Sequence, residues 1–98
     1  LNEALAQLDD LATHYEERQQ LDRALEMLEY ALRLAPNHIA LSGRLARMQL
    51  RRGLLDRGVE GLVRASELQR KAGQLKDAVA SLQEAAQAHR TEVDEQIA

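Results

Sequence analysis

The sequence predicts an all-α chain of five helices folded back on one another as antiparallel pairs. Three observations lead there. Strand formers are scarce: the 45% hydrophobic fraction is Leu, Ala, Val, Ile and Met, with two tyrosines and no Phe or Trp, whereas the good helix formers Ala, Leu, Arg, Gln and Glu dominate. Apolar residues recur at the 3.6-residue period in five stretches. The breaks between those stretches are short, which turns each helix back against the one before it.

The first stripe is Leu1, Leu5, Leu8, Leu11, Ala12 and Tyr15, and the second is Leu21, Ala24, Leu25, Leu28, Ala31 and Leu32. Pro36 ends the second, because it disfavours helical backbone at Ala35, and Asn37 behind it is the expected cap of the next helix. Ile39, Leu41, Leu45 and Met48 form the third stripe, stopped at Gly53, where a missing Cβ permits a left-handed C-cap. Leu55, Val59, Leu62, Val63 and Leu68 form the fourth, stopped at Gly73. Leu75, Ala78, Val79, Leu82, Ala85 and Ala86 mark the fifth. Thr91 with Asp94 resembles a capping box, so residues 91–98 read as a tail or the start of a further, truncated helix. The chain begins at Leu1 already in helical pattern, as expected of a piece of a longer protein.

Composition bounds the function. At 98 residues the chain suits a single domain over 1–98 with an aliphatic core. A net charge of −3 gives no basic field for nucleic acid. Zero cysteines remove disulfides, thiolate nucleophiles and sulfur-bound zinc. No apolar run approaches the roughly 20 residues that span a bilayer, so no membrane partner is expected. A cytoplasmic location is expected, and a piece of a longer protein would lack any targeting signal.

A shift of 34 residues brings Leu21-Asp22-Arg23 onto Leu55-Asp56-Arg57, Leu28 onto Leu62 and Ala31 onto Ala65. A period of that length, with Leu8-x-x-Leu11-Ala12-x-x-Tyr15 followed by Ala24-x-x-x-Leu28, Ala31 and Pro36, resembles the tetratricopeptide repeat. Leu8 stands where that pattern usually has Trp, Ala12 for Gly and Leu28 for Phe. Residues 5–38 resemble one repeat. Residues 39–72 resemble a second, in which Leu45, Ala46, Gly58, Leu62 and Ala65 keep the pattern while Ser42, Gln49 and Arg70 replace its tryptophan-like, tyrosine and proline sites. The fifth helix matches the second at a shift of 54, through Leu21 and Leu75, Ala24 and Ala78, and Leu28 and Leu82. Residues 59–90 then read as a third repeat that shares the fourth helix. The resemblance implies a short right-handed superhelix of stacked helix pairs, an α-α solenoid.

Little chemistry is visible. Histidines 14, 38 and 89 have no partner at i+4 for a helical zinc site. The adjacent carboxylates Asp9-Asp10 and Glu16-Glu17 point about 100° apart on a helix and cannot face each other as an acid and base. Ser42, Ser66 and Ser81 have no nucleophile signature, and the five glycines are scattered. No enzyme activity, metal or cofactor is expected.

What remains is surface. The resemblance implies a concave groove lined by the first helix of each pair: Ala6, Asp9, Thr13, Glu16 and Glu17 from the first helix, and Ala40, Gly43, Arg47, Leu50 and Arg51 from the third, with Arg44 alongside. The fourth helix would add Glu60, Val63, Glu67, Arg70 and Lys71. Asp9 and Thr13 stand where some family members carry the Lys and Asn of a carboxylate clamp, so a chaperone-type clamp is not expected. Arg44, Arg47 and Arg51 share one helix face and suit an acidic partner segment, flanked by Leu50. Arg51 and Arg52 also sit where they would complement the negative end of their own helix. Charge reversal at Arg47 is expected to abolish partner binding while leaving stability almost unchanged. The expected function is a non-catalytic scaffold that binds another protein or peptide. The alternative is a self-association module that forms homo-oligomers through exposed apolar helix faces.

Overall fold

The computed structural model of the chain describes residues 1–97. It contains α1 (Asn2–Glu17), α2 (Leu21–Leu34), α3 (Ile39–Arg51), α4 (Leu55–Lys71) and α5 (Leu75–Ile97), each packed on its neighbour in sequence. No strand occurs among the described residues. The all-α architecture of stacked helix pairs is as expected. Its shortest extent is 17 Å against 45 and 35 Å, which is the thickness of two helix layers.

One expectation fails at the end of the chain. Thr91 caps nothing: α5 runs through it without a break, and its hydroxyl donates to the Gln87 carbonyl at 2.9 Å. The helical period simply continues past Ala86, and a threonine inside a helix bonds back to the preceding turn. Ala98, the last residue of the expected tail, lies outside the described residues.

Three of the four connections are the same turn. The N–H of Gln20, Leu54 and Gln74 donates to the carbonyl of Tyr15, Gln49 and Gln69 at 2.9, 2.8 and 2.8 Å, closing each helix in a Schellman pattern. That pattern puts one residue in the left-handed region, and two of the three are glycines: Gly53 at φ 87° and Gly73 at φ 79°. The third is Gln19 at φ 61°. A side chain there costs about 1–2 kcal/mol, part of which glycine's freer unfolded chain returns. Gln19→Gly is therefore expected to raise stability by about 0.5–1 kcal/mol, read from the midpoint of urea unfolding.

The fourth connection passes through Pro36. Its cap is His38, not the expected Asn37: the His38 Nδ1 accepts the Leu41 N–H at 3.2 Å. A ring nitrogen here does the work of the usual side-chain oxygen.

The helix α3 is the centre of the molecule. It buries seven of its 13 residues and contributes to both apolar clusters. Leu41, Leu45 and Met48 join Ala12, Ala24, Leu25, Leu28 and Ala31 on one side, and Ala46 joins Leu62 and Ala85 on the other. The small residues act by permitting close approach: a Cβ at Gly61 would lie 2.8 Å from the Cβ of Ala46. The fifth stripe divides. Ala78, Ser81 and Ala85 are buried against the preceding helices, whereas Leu75, Val79 and Leu82 are exposed. Ser81 Oγ and the Gln69 amide, 2.8 Å apart, hold α5 to α4.

Candidate functional site

Residues at i, i+3 or i+4, and i+7 share a helix face, so Arg44, Arg47 and Arg51 form a row along α3, and Asp9, Thr13 and Glu16 form a matching row along α1. The fold sets these rows side by side. Arg44 pairs with Asp9, and its other guanidinium nitrogen donates to Thr13 Oγ1 at 2.9 Å and Glu16 at 3.3 Å. Arg51 pairs with the second oxygen of Glu16. On the opposite flank, Arg47 forks onto both oxygens of Glu84 in α5, at 2.9 and 3.0 Å. One surface is thus built from α1, α3 and α5, with the arginines bridging outward from the middle helix. Arg52 reaches Asp22 at the start of α2 at 2.6 Å, so Arg51 and Arg52 both have acidic partners beyond their own helix end.

Beside Arg44, a cavity of about 380 Å³ opens between α1 and α3. Leu5, Ala6, Asp9, Ala40 and Leu41 line it, and Ala6 and Ala40 are among the positions expected in a groove. The remaining expected residues are dispersed. Glu17 is exposed at the end of α1. Leu50 is half-buried against the cluster of Ala46, Leu62 and Ala85, where it packs the core. Glu67 and Arg70 pair with each other on α4 at 3.1 Å, and Lys71 ends that helix. Among the described residues, none of these three makes a hydrogen bond or ion pair to the α3 row.

The third helix on the charged face is therefore α5, and Glu84 is the residue that sequence reasoning missed. The shift of 54 equates Glu84 with Tyr30, an exposed residue of α2, and so hid it. The available signal was the small-residue line Ala78, Ser81 and Ala85, which marks the buried side of α5 and which Glu84 borders.

A family model described as Tetratricopeptide repeat matches residues 15–80. The chain belongs to the tetratricopeptide repeat family. Comparison with curated proteins returns no match. Tetratricopeptide repeats generally mediate protein–protein interaction and are typically non-catalytic. No described helix of this tetratricopeptide chain is long and apolar enough to cross a membrane. Among the described residues, no group of three His, Asp or Glu side chains is placed to hold a metal ion.

The ion pairs set the electrostatics of the face. Hydrogen bonds from Arg47 hold the Glu84 carboxyl below its ordinary value against the opposing pull of partial burial, and the same bonds raise the Arg47 pKa. Asp22 is lowered in the same way by Arg52. The Arg47 and Glu84 side chains are 51% and 42% exposed, so solvent screening keeps their coupling to about 0.3–1 kcal/mol. A double-mutant cycle with Arg47→Ala and Glu84→Ala should return that coupling at neutral pH. Because the folded carboxyl titrates below its unfolded value of about 4.5, the contribution is complete above that pH. It should vanish as the pH falls through the lower folded value. In Arg47→Glu the new carboxylate would face Glu84, so stability is expected to fall only slightly, by well under about 1 kcal/mol.

Proposed function

We propose that this tetratricopeptide chain is a non-catalytic scaffold that holds an acidic segment of a partner protein along the face built by α1, α3 and α5. The arrangement of Arg44, Arg47 and Arg51 carries the reading. Each guanidinium already meets a carboxylate of a neighbouring helix, in a geometry suited to fork-shaped recognition of carboxylates. A partner carboxylate would take the place of Asp9, Glu16 or Glu84, and its apolar side chains would enter the cavity lined by Leu5 and Leu41. Residues 5–38 and 39–72 serve as successive repeats in this reading, with α5 completing the face. Peptides selected on the chain from a random library are the practical ligand. Calorimetric titration should show acidic peptides enriched, affinity falling as salt rises, and binding lost in Arg47→Glu. Undiminished affinity in Arg47→Glu would remove the row from the site.

A second reading is supported by α5. Leu75, Val79 and Leu82 are 62%, 53% and 47% exposed on one side of the helix, a stripe suited to self-association. Sedimentation equilibrium separates the two: a mass that rises with concentration and returns to the monomer in Val79→Glu favours homo-oligomers, and a constant monomer mass removes them.

A further inference from the structure

A groove lies on the side of α3 turned away from the arginine row. At about 100° per residue, Ser42, Leu45 and Gln49 stand opposite Arg44, Arg47 and Arg51. These three residues form the floor of an opening of about 440 Å³, with Leu32 of α2 on one wall and Arg57 and Arg64 of α4 on the other. It is continuous with a second opening of about 560 Å³ that shares all of these residues except Ser42. Volumes of roughly 300–1,000 Å³ are those in which proteins enclose ligands. The hollow has a cause in the sequence: Ser42 and Gln49 occupy positions where the repeat pattern places large aromatic residues.

Two observations point to an occupant. Ser42 is 3% exposed and its Oγ has no hydrogen-bond partner, although a buried hydroxyl loses free energy when it is left unpaired. Arg57 and Arg64 lie two turns apart, about 10 Å along the helix, and among the described residues neither takes part in an ion pair. Arg33 adds a cation on the α2 wall, and Glu29 and Glu60 offset two of the three, leaving the groove net positive.

We infer that this groove binds a second short acidic segment of a protein partner, independently of the α1, α3 and α5 face. Carboxylates of the segment meet Arg57 and Arg64, apolar side chains rest on Leu32 and Leu45, and a polar group reaches Ser42 Oγ beside the Gln49 amide. The probe is a short peptide of alternating glutamate and leucine, titrated into the isotopically labelled chain and followed by amide chemical shifts. A peptide of alternating lysine and leucine is the control. Shifts should concentrate at Ser42, Gln49, Gly61 and Arg64. The double variant Arg57→Glu with Arg64→Glu, both exposed positions, should weaken binding about tenfold or more, the scale of losing charge-assisted contacts. Ser42→Ala should weaken it about threefold without lowering the melting temperature, because no bond is lost in the free chain. Arg47→Glu should leave this binding intact even where it abolishes binding on the other face. The inference is overturned by any of four results: shifts confined to the α1, α3 and α5 face, equal binding of the lysine peptide, unchanged affinity in the arginine double variant, or no binding of the acidic probe.

Discussion

Leu62→Ala is expected to destabilise the chain by about 2–5 kcal/mol, the range for truncating a fully buried leucine. Leu62 has no exposed surface and packs between Ala46 of α3 and Ala85 of α5. The alanines cannot fill the void, whereas Leu50 and Val59, which pack against the same cluster, can relax toward it in part, so the loss falls within that range and not beyond it. Against a total stability of about 5–15 kcal/mol, the variant approaches the unfolding threshold. Leu82→Ala is the matched control, since Leu82 is 47% exposed and should lose well under half as much. Chemical denaturation of the two variants side by side reads the difference, and equal losses would contradict the placement of α5.

The second large effect comes from adding atoms. A Cβ at Gly61 would stand 2.8 Å from the Ala46 Cβ and 3.4 Å from its Cα, atoms that no rotamer change can move. Gly61→Val should therefore push α3 and α4 apart at a cost of about 3 kcal/mol, with little help from helix propensity. Gly58→Ala tests the same logic in reverse. Its Cβ would meet the Leu50 side chain at 2.5 and 2.6 Å and the Ala46 carbonyl oxygen at 3.1 Å, so Leu50 must shift while the backbone oxygen stays in place. A gain of up to about 1 kcal/mol in helix propensity opposes the clash there. Thermal unfolding should rank Gly58→Ala below wild type and Gly61→Val well below Gly58→Ala.

The helices were legible because periodicity and punctuation agree: Gly53 and Gly73 sit in the left-handed turns that end α3 and α4, and the 34-residue shift aligns residues that prove to be core, such as Leu28 and Leu62. His38 as a cap was not legible, since only local geometry decides whether a ring nitrogen or the neighbouring Asn37 reaches the free N–H. The end of the chain misled for a related reason: a Thr-x-x-Asp pattern is the same string inside a helix as at its start, and continuity of the α5 backbone decides between them. The arginine row was visible as a row, but its partners were not. Glu16 and Glu84 come from helices far apart in sequence, and charge patterning along one helix carries no record of which helices will flank it. The hollow over Ser42 was marked only as a departure from the repeat pattern, and its meaning depends on the positions of α2 and α4.

In the proposed function the face built by α1, α3 and α5 recognises acidic protein segments through the α3 arginines, and a charge swap separates that role from structural pairing. In Arg47→Glu combined with Glu84→Arg the ion pair is restored with its direction reversed, so folding is expected to stay near wild type. The guanidinium, however, moves from the middle helix to α5. Acidic peptides selected on the wild-type chain should bind the swapped chain about tenfold more weakly, with melting temperatures matched. Equal affinity for the two chains would rule out Arg47 as a recognition residue of this face.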